Sequence, residues 1–168
     1  LEDFPTARIV HRLDLDTSGL VILSLSKPSV SAMNRLFRER VIKKTYTALV
    51  NGLVTEDTGS IDFPLSADPI DRPKQKLDRV SGKSALTRFE VIERCNSETR
   101  LSLQPITGRQ HQLRLHLALL GHPILGCDLY ADETTYAKAD RLMLHSTKMM
   151  FPHPVTQEYL SLESDVPF

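Results

Sequence analysis

Residues 85–121 read ALTRFEVIERCNSETRLSLQPITGRQHQLRLHLALLG, and a change of period inside this stretch decides the fold class. Ala85 to Glu93 and Arg100 to Ile106 are two β-type runs flanking the polar Asn96-Ser97-Glu98, which predicts an antiparallel hairpin. From Gln110 to Leu120 the spacing becomes helical. Leu113, Leu117 and Leu120 fall at i, i+4 and i+7, and Gly121 is placed to stop the helix. At roughly 100° per residue, His111, Arg114 and Ala118 share a different face. A cation there is aimed at something other than the leucine stripe.

Outward from this segment the same alternation of element types continues. Gly19 to Ser26 (GLVILSLS), apolar and partly β-branched between a glycine and Lys-Pro, predicts a buried strand. Pro28 suits the first turn of a helix whose Val30, Met33, Leu36 and Phe37 follow helical spacing. Lys44 to Val50 (KTYTALV) predicts a strand ending at the turn signal Asn51-Gly52. Asp68 to Pro73 reads as a loop, Thr134 to Asp140 as a short helix, and Leu142 to Met149 and Tyr159 to Leu162 as strands. No repeat or linker interrupts the chain. The expectation is one α+β domain over residues 1–168, with a mixed, mostly antiparallel sheet and helices packed against it.

Composition narrows the function classes. With 168 residues, 40% of them hydrophobic, the chain can build one core, and no apolar run is long enough to span a bilayer. Two cysteines, Cys95 and Cys127, make no disulfide framework, and no charged-then-apolar leader precedes the first element, so a cytoplasmic setting is expected. Formal net charge is zero, yet ten of the twenty-one Lys and Arg residues lie in two windows, Arg35 to Lys44 and Arg72 to Lys83, while the segment after Asp128 is acidic. Such a bipolar surface suits a polyanion on one face. Two solvated charged segments would produce the same runs.

Metal and thiol chemistry find little support. His111 and His116 are five apart, about 140° around a helix, and neither cysteine adds a paired thiolate. His145-Ser146-Thr147 resembles half of a two-histidine phosphoesterase signature, but no second copy occurs. Cys127 reads as a small semi-buried thiol. His11-Arg12-Leu13-Asp14 followed by Thr17-Ser18-Gly19 packs an imidazole, a guanidinium, a carboxylate and two hydroxyls before a strand. On spacing alone this is either a functional loop or a capped turn.

Three motifs in order, HRLD (11–14) with DTSG (16–19), KKTY (43–46) and TGRQHQLRLHLALLGHPILGCDLY (107–130), together resemble the RluA family of RNA pseudouridine synthases. The stretch from Phe63 to Lys83 with DRPKQK, followed by SALTRFEV, is similar to the RluA branch itself. The resemblance implies a pseudouridine synthase fold with a central RNA-binding cleft. It further implies isomerisation of uridine to pseudouridine in a stem-loop of ribosomal RNA, of the tRNA anticodon arm, or of both.

By the same resemblance Asp14 is the catalytic carboxylate, Arg114 the guanidinium that pairs with it, and Tyr46 the ring that stacks on the uracil. The base must be flipped to reach Asp14, and Arg12 fills the space it leaves. His11 orients the loop, and Thr17, Lys43, Lys44, Arg109 and His111 join the substrate-binding set. No cofactor and no metal are implied, and a monomer is expected. Family members carry more chain before HRLD, where this sequence has ten residues, so a catalytic domain lacking an N-terminal segment is expected. The rival reading is a catalytically silent RNA-binding module of the same fold.

Overall fold

A computed structural model of the chain describes residues 4–168. Its centre is β4 (Lys43–Asn51), whose Tyr46, Ala48 and Val50 alternate into the core. This is the strand that the KTYTALV run predicted, with Thr47 buried as well. β4 is bordered by β9 (Glu98–Pro105) on one side and β10 (Leu144–Pro152) on the other. The sheet continues outward through β8 (Leu86–Cys95) to β5 (Thr58–Asp62), and at the other edge to β11 (Tyr159–Glu163), with every one of these neighbours antiparallel. The exception is β2 (Ser18–Gly19), which lies parallel to β10. The fold is therefore α+β with a mixed, mostly antiparallel sheet.

β8 and β9 form the predicted hairpin, but they close on Cys95 opposite Glu98, so the strands run further than their apolar patterning suggested. Asn96, at φ 53°, supplies the turn, a conformation that asparagine tolerates better than most residues. Leu101 and Leu103 on β9 are fully buried against Leu113 and Leu117 of α2 (Gln112–Leu119). α1 (Lys27–Arg38) starts where sequence placed it. Ser26 and Ser29 exchange backbone and side-chain hydrogen bonds in a capping box, with Pro28 in the first turn and Arg35 and Arg38 in the last. Its Met33 and Leu36 pack with Ile42, Met149 and Phe151 in a second apolar cluster. The short helix α3 (Glu133–Tyr136) is capped by Asp132. None of the helices among the described residues is long and apolar enough to cross a membrane.

The buried strand expected over Gly19 to Ser26 is corrected. The run instead supplies part of β2 and β3 (Leu23–Ser24), and among the described residues β3 pairs only with β1 (Arg8–Ile9). Leu20 and Ile22 turn onto the α1 cluster while Val21, Leu23 and Leu25 face out. An uninterrupted apolar run conceals which alternate face is buried, and here only one is. A further hairpin, β6 (Leu65–Ala67) with β7 (Gln75–Leu77), brackets the predicted 68–73 loop. Its strands are too short and polar for periodicity to reveal.

Gly19 stands where β2 meets β10. At φ +105°, a Cβ there would lie 2.3 Å from the Ser146 carbonyl oxygen, so no side chain fits. Gly19→Ala should cost on the order of 2–4 kcal/mol and peel β2 from β10. Urea unfolding checks the loss, and amide exchange at Leu20, whose N–H donates to Ser146 at 3.0 Å, locates it; unchanged exchange would refute the displacement.

Candidate active site

The HRLD loop is held at both ends by histidines. His11 Nε2 accepts the Ile22 N–H at 2.8 Å, and its ring lies 4.7 Å from Phe37. An acceptor nitrogen must be unprotonated, and burial, with Lys44 adding to it, pushes this imidazole down to about 4. Asp14 opens a turn closed by the Thr17 N–H at 3.2 Å, with Asp16 left-handed at φ 66°. Immediately after it, Ser18 Oγ meets His145 Nδ1 at 2.7 Å, and His145 Nε2 meets Ser164 Oγ at 3.1 Å. The carboxylate thus sits on a short loop pinned against α1 on one side and β10 on the other.

This loop forms one wall of an open cleft of about 910 Å³. The cleft brings together eight of the ten residues singled out by sequence: His11, Arg12, Asp14, Thr17, Lys43, Lys44, Tyr46 and Arg109. Tyr46 is buried, which raises its phenol to about 12, so it stays a neutral ring with an O–H donor. Burial also lowers the Lys44 ammonium. Thr17 Oγ1 is buried without a hydrogen-bond partner among the described residues. Arg38, Arg40 and Arg88 complete a set of seven Lys and Arg side chains around one carboxylate, Asp14. None of the seven forms an ion pair among the described residues.

The opposite wall is the TGRQ turn, shaped by a residue that the sequence pattern does not single out. Gln112 is buried; its Oε1 accepts from Thr107 Oγ1 at 2.7 Å and from the Arg109 N–H at 3.0 Å, while its Nε2 donates to Leu86 O and Thr87 Oγ1 at 3.0 Å each. Arg109 then reaches Ser84 O at 3.0 Å.

His111 and Arg114 lie behind the cleft rather than on its lining. The expected pairing of Arg114 with Asp14 is corrected. Arg114 is 2% exposed and ion-paired with Asp128, and its Nε and Nη2 also donate to Cys127 Sγ at 3.3 Å. A guanidinium stripped of water must be balanced by the carboxylate within reach, and that is Asp128, brought there by the Ile124–Cys127 segment. Burial works against the charge, but Cys127 and Asp128 hold the Arg114 pKa above its ordinary value. Tyr130 was also missed, although it closes the third motif. It contacts both residues, with its OH 2.8 Å from His111 Nδ1 and its ring under the guanidinium at 5.8 Å. No cluster of three or more His, Cys, Asp or Glu among the described residues is placed to hold a metal ion.

A carboxylate on a loop, ringed by cations without ion-pair partners among the described residues and with a buried tyrosine on the same cleft lining, is a surface suited to a polyanion. Comparison with known proteins narrows the class. Human RNA Pseudouridylate Synthase Domain Containing 1 superposes with a TM-score of 0.88 at 29% identity, over 99% of this chain and 71% of that one. The family model described as RNA pseudouridylate synthase matches residues 3–119. The dual-specificity RNA pseudouridine synthase RluA of Pasteurella multocida is 50% identical over 94% of this chain and 73% of its own length. Its namesake in Escherichia coli strain K12 is 43% identical over 99% and 76%. The chain belongs to the RNA pseudouridylate synthase family, isomerases that convert uridine in RNA to pseudouridine.

The histidine clamp makes stability depend on pH. An unfolded imidazole titrates near 6.5 and folded His11 at about 4, so between these values the unfolded chain binds a proton that the folded chain refuses. The stabilisation is complete above pH 6.5 and is lost as pH falls towards 4. His111, His116 and His145, lowered by burial, add to the same slope. His11→Gln should flatten it in urea unfolding series across that window; an unaltered slope would remove His11 from the acid response.

Proposed function

We propose that this chain isomerises specific uridines in both ribosomal RNA and the tRNA anticodon arm, the targets implied by its resemblance to the RluA branch; the relatives it matches are named dual-specificity RNA pseudouridine synthases. The observation that carries the mechanism is the placement of Asp14 as the lone carboxylate among seven cations on the cleft lining. Those cations offset the desolvation of Asp14 and bind the phosphates of a folded RNA. Asp14 acts on the flipped nucleotide, either by covalent attack or by removing a ribose proton. Both routes need an ionised carboxylate. The glycosidic C–N bond breaks, the uracil turns, and a C–C bond forms. The rearrangement is redox-neutral and calls for no cofactor.

Tyr46 stacks on the uracil and offers its neutral hydroxyl. Arg12, exposed at the lip, occupies the place vacated in the RNA stack, where a planar cation can both stack and donate. Lys43, Lys44 and Arg109 hold the backbone, and Thr17 gains a partner when RNA enters. Arg114 supplies a positive field from behind, across His111, a ring that both its charge and that of Asp14 reach. The enzyme works as a cytoplasmic monomer.

The test is to incubate the chain and its Asp14→Asn variant with total RNA from a strain lacking its own RluA-type enzyme, mapping pseudouridine at single-nucleotide resolution. The parent should modify sites in both RNA classes, and the variant should lose turnover by about 10³-fold or more with RNA affinity intact. Sites in one class only would reject dual specificity. Undiminished turnover in the variant would reject the role of Asp14, and a parent that binds RNA without product would leave the silent module as the reading.

The electrostatic footprint is tested separately. Lys43→Glu combined with Lys44→Gln should weaken RNA binding and reduce the slope of log affinity against log salt by roughly 1 for each phosphate no longer neutralised. An unchanged slope would take both residues off the RNA.

A further inference from the structure

The chain leaves α1 through a complete Schellman turn. The Val41 N–H donates to Leu36 O at 3.0 Å and the Arg40 N–H to Phe37 O at 3.2 Å; Glu39 is still helical, and Arg40 stands in the left-handed region at φ 57°. Glycine, or less often asparagine, takes that position in such turns, because a Cβ is strained there. Here the position holds an arginine.

The fold does not call for it. Both hydrogen bonds that close the turn are made by backbone groups, and Arg35 and Arg38 already set two cations in the last turn of α1, where the helix end favours positive charge. The Arg40 side chain is exposed, lies on the cleft lining and forms no ion pair among the described residues. Strain of this kind is found where function uses it. The turn is also tied to the catalytic loop, since Phe37, whose carbonyl accepts the Arg40 N–H, packs its ring against His11 of HRLD at 4.7 Å.

We propose that Arg40 sets the register of the bound RNA: it clamps one backbone phosphate at the cleft wall formed by the end of α1, and so determines which nucleotide is presented to Asp14. A guanidinium grips a phosphate through two parallel N–H donors, which fixes geometry as well as supplying charge. The backbone that carries it is held by the Schellman turn and, through Phe37, by the loop that bears the carboxylate. A phosphate seated on Arg40 is therefore referred to the same loop as the reacting group. This inference rests on the reading of the cleft as the RNA site and goes beyond it by giving one cation a positional task.

Two variants separate charge from strain. Arg40→Gln removes the charge and keeps a Cβ in the left-handed position, whereas Arg40→Gly removes the charge and relieves the strain. The probe is a stem-loop RNA carrying the uridine that the parent modifies, with a second uridine placed beside it. In both variants kcat/KM at the target should fall roughly tenfold, and the slope of log affinity against log salt should drop by roughly 1. Product should also appear at the neighbouring uridine, which the parent leaves unmodified. In urea, Arg40→Gly should unfold at a higher midpoint than Arg40→Gln. A kcat/KM within about twofold of the parent, product still confined to the target, or equal midpoints for the two variants overturns the proposal. So does an Arg40→Gln protein that loses stability but keeps its RNA affinity, since the guanidinium would then serve the helix end. If the cleft is not the RNA site, the Lys43→Glu, Lys44→Gln pair leaves its own salt slope unchanged; failure of Arg40 alone leaves that slope falling.

Discussion

The buried amide of Gln112 is the interaction on which the site's geometry depends. A primary amide out of contact with water must satisfy two donors and its carbonyl at once, and Gln112 does so with Leu86, Thr87, Thr107 and Arg109. Those four residues belong to the start of β8 and to the turn that follows β9, so one side chain locks the open end of the hairpin to the start of α2. The network extends inward. His116 lies 3.1 Å from Phe63 O through Nε2, which must therefore donate, so its Nδ1 accepts from Thr87 Oγ1 at 3.0 Å. Every member has a partner, the condition under which a buried polar network specifies one arrangement instead of weakening the core. The TGRQ turn then holds Arg109 on the cleft lining with its backbone N–H fixed by Gln112.

Electrostatics divides the site into two layers. In front, seven Lys and Arg side chains line the cleft with one carboxylate and form no ion pairs among the described residues, an excess of positive charge that favours a polyanion. Behind, Arg114 is desolvated and balanced by Asp128 and Cys127. Asp128 itself is half exposed, so the pair is buried at one end and hydrated at the other. The guanidinium consequently contributes field and shape behind the carboxylate without being consumed as its ion-pair partner.

Much of this was legible in the sequence, and the limits have physical causes. The β8–β9 hairpin, α1 and its proline, β4 and the end of α2 follow from periodicity and caps, because each buries one face of a regular element, whereas α2 starts at Gln112 rather than Gln110, after a left-handed His111 that no pattern announces. The three motifs placed eight of ten named residues in one cleft. What escaped was set by partners distant in the chain. Helical spacing separated Arg114 from the leucine stripe but could not say which carboxylate it would meet, since Asp14 and Asp128 differ only in tertiary position. Gln112 read as a polar residue within a motif. Its burial follows from the hairpin end above it, which no local pattern encodes. Val21, Leu23 and Leu25 read as core because a run apolar on both faces carries no record of which face is covered.

The loop that carries Asp14 shows why a small segment needs so many restraints. In the role proposed for Asp14, the reaction detaches a base, turns it and reattaches it at another atom, so the carboxylate would have to hold its place relative to the ribose while the base moves. A loop loosened by about 1 Å would lose alignment at one of the two bond-making steps. Asp14 is flanked by three directional or close contacts: His11 accepting from Ile22, Ser18 against His145, and the bare Cα of Gly19 on the Ser146 carbonyl. Two of these use neutral imidazoles, whose lone pairs and single N–H bonds are directional. Protonating His11 removes the lone pair that holds Ile22, so this clamp beside the carboxylate weakens as pH falls from 6.5 and is lost on approaching 4.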